Sequence, residues 1–215
     1  MSKKILISAG PTREYIDAVR YITNKSTGKM GYAIARAAVK AGYDVSLVSG
    51  IVNLEEPKGL TDFMIAETAA EMADTIKRLA INSDIIIMSA AVADYRPKQT
   101  IEKKMKKSDG DLVLELERTE DILKSLGEMK KYSNPNQILV GFAAETDNII
   151  NYALDKLKRK NLNWIVANDV SDSSIGFGSN DNAVIMINHN SEQIAIPKTS
   201  KDILAKKIID TIINA

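Results

Sequence analysis

The chain has 215 residues, of which 45% are hydrophobic and 27% charged, and 29 basic residues against 28 acidic ones leave a net charge of +1. Such proportions belong to a globular chain long enough for one sizeable core and exclude disorder or a fibrous repeat. The near-zero charge provides no global field for nucleic acid or anionic membrane, so an anion site must be local, and the lack of cysteine excludes disulfides, a thiolate nucleophile and thiolate-held metals.

The N-terminal "MSKKILISAG" carries an apolar run too short for a signal peptide or a membrane span, which predicts a soluble cytoplasmic protein. A first strand is expected at 4–9, followed by a polar loop over 10–28 and a helix over 28–42. Further strands are expected at 44–50, 62–67, 84–91, 137–144 and 163–169, because continuous apolar runs suit a sheet covered on both faces. Helical periodicity marks 68–83, 119–131 and 148–161 between them, and a last helix at 201–214. Two segments break the alternation. Residues 111–117 alternate with period two, and 183–198 read as an antiparallel hairpin around an Asn-Ser turn. The expected class is therefore α/β: a doubly wound, mainly parallel Rossmann-like sheet with an added antiparallel hairpin, in one domain over 1–215 without repeats or linkers.

Ligands of such sheets bind beyond the carboxyl ends of the strands. Three polar stretches reach that edge: 10–28, 91–110 and the start of the helix after "GFAAET". The first contains "VRYITNKSTGKMG" (19–31), far more chain than the usual connection of about 2 to 6 residues. Its end meets a helix N-terminus, whose open amides and partial positive charge suit an anion. It is no Walker A loop, since Thr23 and Met30 stand where a glycine and a hydroxyl are needed, and no GxGxxG, since Lys29 and Met30 follow Gly28. Ser26 or Thr27 as helix cap, Gly31 for close contact with the sheet and Asn24 as an Asx-turn residue account for the same stretch structurally. Lys156 and Lys160, four apart, share one face of a helix.

Taken together, "SAGPTREYIDAVRYITNKSTGKMGYAIARAA", "SAAVADYRPK", "KMKK" (104–107), "VGFAAET" and "KLKRKNLNWIVANDVSDSSIGFGSNDN" resemble phosphopantothenoylcysteine synthetase in its bacterial, CTP-using form, in order and over nearly the whole chain. The resemblance implies a ligase of coenzyme A biosynthesis that joins 4′-phosphopantothenate to L-cysteine through an acyl-cytidylate, with CTP as substrate and Mg2+ as its ion. It implies catalytic roles for Asn24, Arg20 and Lys104, and nucleotide contacts from Met88, Ser89, Ala90, Asp94, Lys104, Glu120, Asp121, Ile122, Leu123, Phe142, Lys156 and Lys160. The amides of 26–29 would hold either the substrate's phosphate or part of the triphosphate. A flexible basic loop around 104–107 would close over the nucleotide. The metal ligands are left unassigned.

The chain departs from the family at Glu120, where proline is usual, and at Asn163, where aspartate is commoner. Family members dimerise, and the hairpin at 183–198 is the expected contact. The family often places a flavin-dependent decarboxylase before the synthetase, and both a stand-alone enzyme and an excised domain fit this length. Two other readings compete. Tyr152 and Lys156 form the Y-x-x-x-K pair of short-chain dehydrogenases, which would make the chain an NAD(P) oxidoreductase, although the first strand lacks that class's glycine loop. A non-catalytic nucleotide-binding module on the same fold would not require Asn24. His189, the only histidine, falls in the hairpin, remote from the three loops.

Overall fold

The computed structural model describes residues 2–106, 111–145, 148–169 and 178–214. In chain order its elements are β1 (Lys4–Ala9), β2 (Glu14–Asp17), β3 (Arg20–Ile22), α1 (Lys29–Lys40), β4 (Asp44–Ser49), β5 (Asp62–Ile65), α2 (Ala69–Ala80), β6 (Ile85–Met88), β7 (Tyr95–Pro97) and β8 (Leu116–Arg118). There follow α3 (Ile122–Ser133), β9 (Ile138–Glu145), α4 (Ile149–Arg159), β10 (Trp164–Asp169), β11 (Asp181–Asn188), β12 (Gln193–Ser200) and α5 (Lys201–Ile213).

The apolar runs pair into one eight-stranded sheet in the order β12-β11-β10-β9-β6-β1-β4-β5. From β5 to β10 every neighbour is parallel, and β11 and β12 extend the sheet antiparallel. Read from β5, the six parallel strands follow the doubly wound order, whose switch point lies between β1 and β6. Side chains alternate along each strand, so Ile5, Ile7 and Ala9 of β1 pack with α1 and α5, while Leu6 joins α2, α3 and α4 on the other face. Each large aliphatic side chain so buried contributes about 1.5 to 3 kcal/mol. The described helices include none long and apolar enough to cross a membrane.

The expected elements of the main sheet all appear, trimmed at their ends: 84–91 stops at Met88 and 62–67 at Ile65, where the chain turns into loops. The hairpin expected at 183–198 forms as β11 and β12, and its turn places Ser191 at φ 66. Three expectations are corrected. The strand at 111–117 shrinks to β8, paired antiparallel with the unanticipated β7. The loop over 10–28 contains the β2/β3 hairpin. Neither Ser26 nor Thr27 caps α1: Gly28 takes that position at φ 75, a left-handed conformation that glycine adopts without steric cost, and makes no side-chain cap.

Candidate active site

At the switch point the chains leaving β1 and β6 remain stitched together beyond the sheet. Pro11 pairs with Ala91 in an isolated bridge, Ala91 N donates to Gly10 O at 2.9 Å, and Ala93 N donates to Thr12 Oγ1 at 3.0 Å. Asn24 fastens the rest of the first loop onto this seam. Its Nδ2 donates to Ala91 O at 2.5 Å, and its Oδ1 accepts from Ser26 N at 2.9 Å, an Asx turn that aims the chain into α1.

Beside the seam opens a cavity of about 260 Å³, walled by residues 26–31, residues 89–92 with Asp94, residues 142–144 with Lys156, and Asn168, Gly178, Asn182 and Lys201. Gly31 brings the wall close: a Cβ there would lie 2.5 Å from the Ala9 Cβ. The described lining residues include three lysines, Lys29, Lys156 and Lys201, and one carboxylate, Asp94. Lys29 and Lys201 are the first residues of α1 and α5, where the helix dipole disfavours a cation unless an anion is near. Lys201 is only 8% exposed and donates to Ser179 O at 2.6 Å. Burial lowers its pKa, the Lys29 charge lowers it further, and Asp181 opposes both. Lys29 donates to Asn180 Oδ1 at 2.8 Å and Lys156 to Phe142 O at 2.8 Å. The Asn168 Oδ1 atom is buried in this wall without a hydrogen-bond partner among the described residues, a condition costing about 1 to 3 kcal/mol that a ligand donor or cation would relieve.

All 215 residues match the family described as the DNA/pantothenate metabolism flavoprotein C-terminal domain. The chain belongs to this family. It is 53% identical over 199 residues to the coenzyme A biosynthesis bifunctional protein CoaBC of Bacillus subtilis, a match covering 93% of this chain and 48% of the relative. The Vibrio cholerae protein of the same name is 46% identical, with 99% and 52% covered. The chain thus spans about half the length of these curated relatives. Among solved structures, the C-terminal domain of a CoaBC protein superposes with a TM-score of 0.82 at 45% identity, covering 98% of this chain and 93% of that one.

Of the site residues expected for this family, Ser89, Ala90, Asp94, Phe142 and Lys156 line the one cavity, and Asn24 bonds to its lining residue Ala91. Met88 lies behind them as the buried end of β6. The others lie outside the lining. Asp121 caps α3, accepting from Lys124 N at 3.0 Å, and pairs with Lys160 at 2.7 Å. Burial raises the Asp121 pKa, but hydrogen bonds from Lys160 and the Lys124 amide, with the charges of Lys160 and Lys156, hold it below the usual range. Ile122 and Leu123 are buried beneath that cap. Glu120, in the place of the usual proline, accepts from Lys77 at 2.8 Å and Ser125 at 2.7 Å. Arg20 pairs with Asp17, and Lys104 lies exposed on the loop beyond β7. Lys107 of the basic element, Thr146 and residues 170–177 fall outside the described residues.

Tyr152 is 49% exposed and absent from the cavity lining, so the Tyr152 and Lys156 pair is not assembled there. Sequence reasoning passed over Lys201, Asn168 and Asn182. Lys201 had a readable signal, a lysine directly after the serine cap of a helix, at the wrong end for its dipole.

Proposed function

We propose that the chain is a cytoplasmic ligase joining 4′-phosphopantothenate to L-cysteine with CTP, in coenzyme A biosynthesis, and that 1–215 acts as a single synthetase domain. The observation that carries this reading is the cavity at the switch point, whose described lining holds three lysines and one carboxylate, in a chain 53% identical to a coenzyme A biosynthesis protein. An acid and an amine at neutral pH form only a salt, so the carboxylate must be activated. A carboxylate oxygen attacks the α-phosphorus of CTP and pyrophosphate leaves; the cysteine amine then attacks the acyl carbon and CMP departs with that oxygen. Both steps gather negative charge, which fixed cations and amide donors offset without a nucleophilic side chain.

In this reading Lys156, Phe142, Asp94 and residues 88–90 hold the nucleotide, and the open amides of α1 hold an anion. Asp121 to Leu123 and Lys160, joined by the Asp121–Lys160 pair, contact the nucleotide where it extends past the cavity lining. Asn24, beside Ala91, donates to the acyl oxygen once substrate displaces its present contact. Arg20 offers the exposed part of its guanidinium to a carboxylate or phosphate, and Lys104 approaches from the basic loop. Asp94, a carboxylate in the lining, would touch Mg2+ carried on the triphosphate. Bound so, the ion would neutralise phosphate charge. We place the homodimer contact on the small hairpins, since Val19, Tyr21, Tyr95 and Leu116 expose apolar surface there whereas β12 exposes Ile194.

The test is to follow pyrophosphate with phosphopantothenate and each nucleoside triphosphate, then add cysteine. Release that needs phosphopantothenate and prefers CTP, followed by equal CMP and amide, is expected. Release of orthophosphate and CDP would contradict the reading.

A further inference from the structure

The basic loop is fastened to the first hairpin at one peptide. Asp17 has a fully buried carboxylate at the end of β2, against an Arg20 side chain that is 46% exposed. Its Oδ1 accepts from Val19 N at 2.9 Å and Arg20 N at 3.0 Å, which turns the hairpin. Its Oδ2 accepts from Arg20 Nε at 3.0 Å and Nη2 at 2.6 Å, and also from Met105 N at 3.1 Å. Arg20 Nη2 in turn donates to Met105 O at 3.1 Å. The N–H and C=O of Met105 are therefore both held, one by each member of an ion pair whose carboxylate is buried, and Met105 is the residue between Lys104 and Lys106. The same loop is pinned upstream, where Ile101 N donates to Ile16 O at 3.1 Å and Thr100 Oγ1 to Tyr15 O at 3.2 Å. Five donors on one carboxylate exceed what a hairpin turn needs, since Val19 and Arg20 amides alone would close it.

We propose that Asp17 is a positioning residue: with Arg20 it clamps the Met105 peptide and so sets where Lys104 and Lys106 stand at the ligand edge. The inference rests on the ligase reading for its kinetic consequence and on geometry alone for the clamp. Asp17 touches no reacting atom and acts through the loop. Replacing its charge leaves an amide facing donors that expect an acceptor, so the loop would detach while the sheet stays intact.

The clamp is read directly by hydrogen exchange of the folded chain: the Met105 amide should exchange far more slowly than the Lys103 and Lys104 amides, and Asp17→Asn should abolish that difference. In the pyrophosphate assay Asp17→Asn should lower kcat/KM for CTP on the order of 10²-fold, the scale of a misplaced group. Added to a variant carrying both Lys104→Ala and Lys106→Ala it should cost nothing more, within about twofold, because the lysine pair and the clamp then account for the same contribution. Losses that multiply would mark Asp17 as merely structural and overturn the proposal, as would a Met105 amide exchanging as fast as its neighbours. Where Asp17→Asn fails to fold, the wild-type exchange pattern decides alone. If the wild type releases no pyrophosphate, the ligase reading fails and the exchange result still decides the clamp.

Discussion

Strand β6 is buried at every residue and β1 at all but its first, whereas most residues of the β2/β3 and β7/β8 hairpins remain at least partly open to solvent. The sheet is held by apolar contacts on two faces. The hairpins above its carboxyl edge are held by polar side chains gripping backbone: Asn24 on Ala91, Thr12 on Ala93, Thr23 on Thr12, Asp17 on Met105. Apolar packing sums many small contacts into stability, while a single polar grip fixes where a whole loop stands. Substitutions in the sheet should therefore register in stability, and substitutions in the hairpins in turnover.

The largest effect is expected from Asn24→Ala. Loss of the donor should slow amide formation by about 10² to 10³, with intermediate accumulating in rapid-quench samples. Its two hydrogen bonds are worth only about 2 kcal/mol of unfolding free energy together. A stability loss without a rate loss would erase the contrast between the two regions. Gly31→Ala probes the opposite case, because the new methyl meets the Ala9 Cβ and, at 3.1 Å, the Ser8 backbone. Urea unfolding should show a loss of about 1 to 3 kcal/mol, the cost of overpacking.

A gain is expected from Asn163→Asp. Lys130 is buried and its ammonium donates to Asn163 Oδ1, a neutral partner. Burial holds the Lys130 pKa below its ordinary 10.5, so the unfolded chain binds more protons than the folded one and stability rises with pH up to that value. A carboxylate at 163 raises the folded pKa again. The variant should gain about 1 kcal/mol near neutral pH, with the advantage fading toward pH 10.5 in thermal melts. Glu120→Gln should have the smallest effect. Its pairing with Lys77 is partly exposed and worth at most about 1 kcal/mol, and the KM for nucleotide should not move. A raised KM would bring Glu120 into the nucleotide site after all.

The contrast also explains what was legible in the sequence. Buried runs such as "DIIIMS" and helices such as 68–83 declare themselves through their apolar period, and Thr68, which caps α2 by accepting from Glu71 N, carries a further signal at the helix start. Strands of three or four residues such as β3 and β7 are too short for period two to stand out. Their order comes from distant partners: Arg20 with Met105, Asp17 with Ile101. Topology pointed to the edge, and the resemblance named Ser89, Phe142 and Asp94, which line one cavity there. Lys201 carried a local signal, but only the fold brings the start of the final helix back to that edge, and Asn168, near the carboxyl end of the parallel strand β10, was within reach of the topological argument and was passed over.

The most direct test of carboxylate activation at this edge is an isotope experiment. Phosphopantothenate carrying ¹⁸O in its carboxylate is turned over with CTP and cysteine, and the nucleotide product is weighed by mass spectrometry. Attack on the α-phosphorus predicts that CMP gains one labelled oxygen from each labelled carboxylate that becomes amide. Unlabelled CMP, with the label in pyrophosphate or orthophosphate, would contradict it.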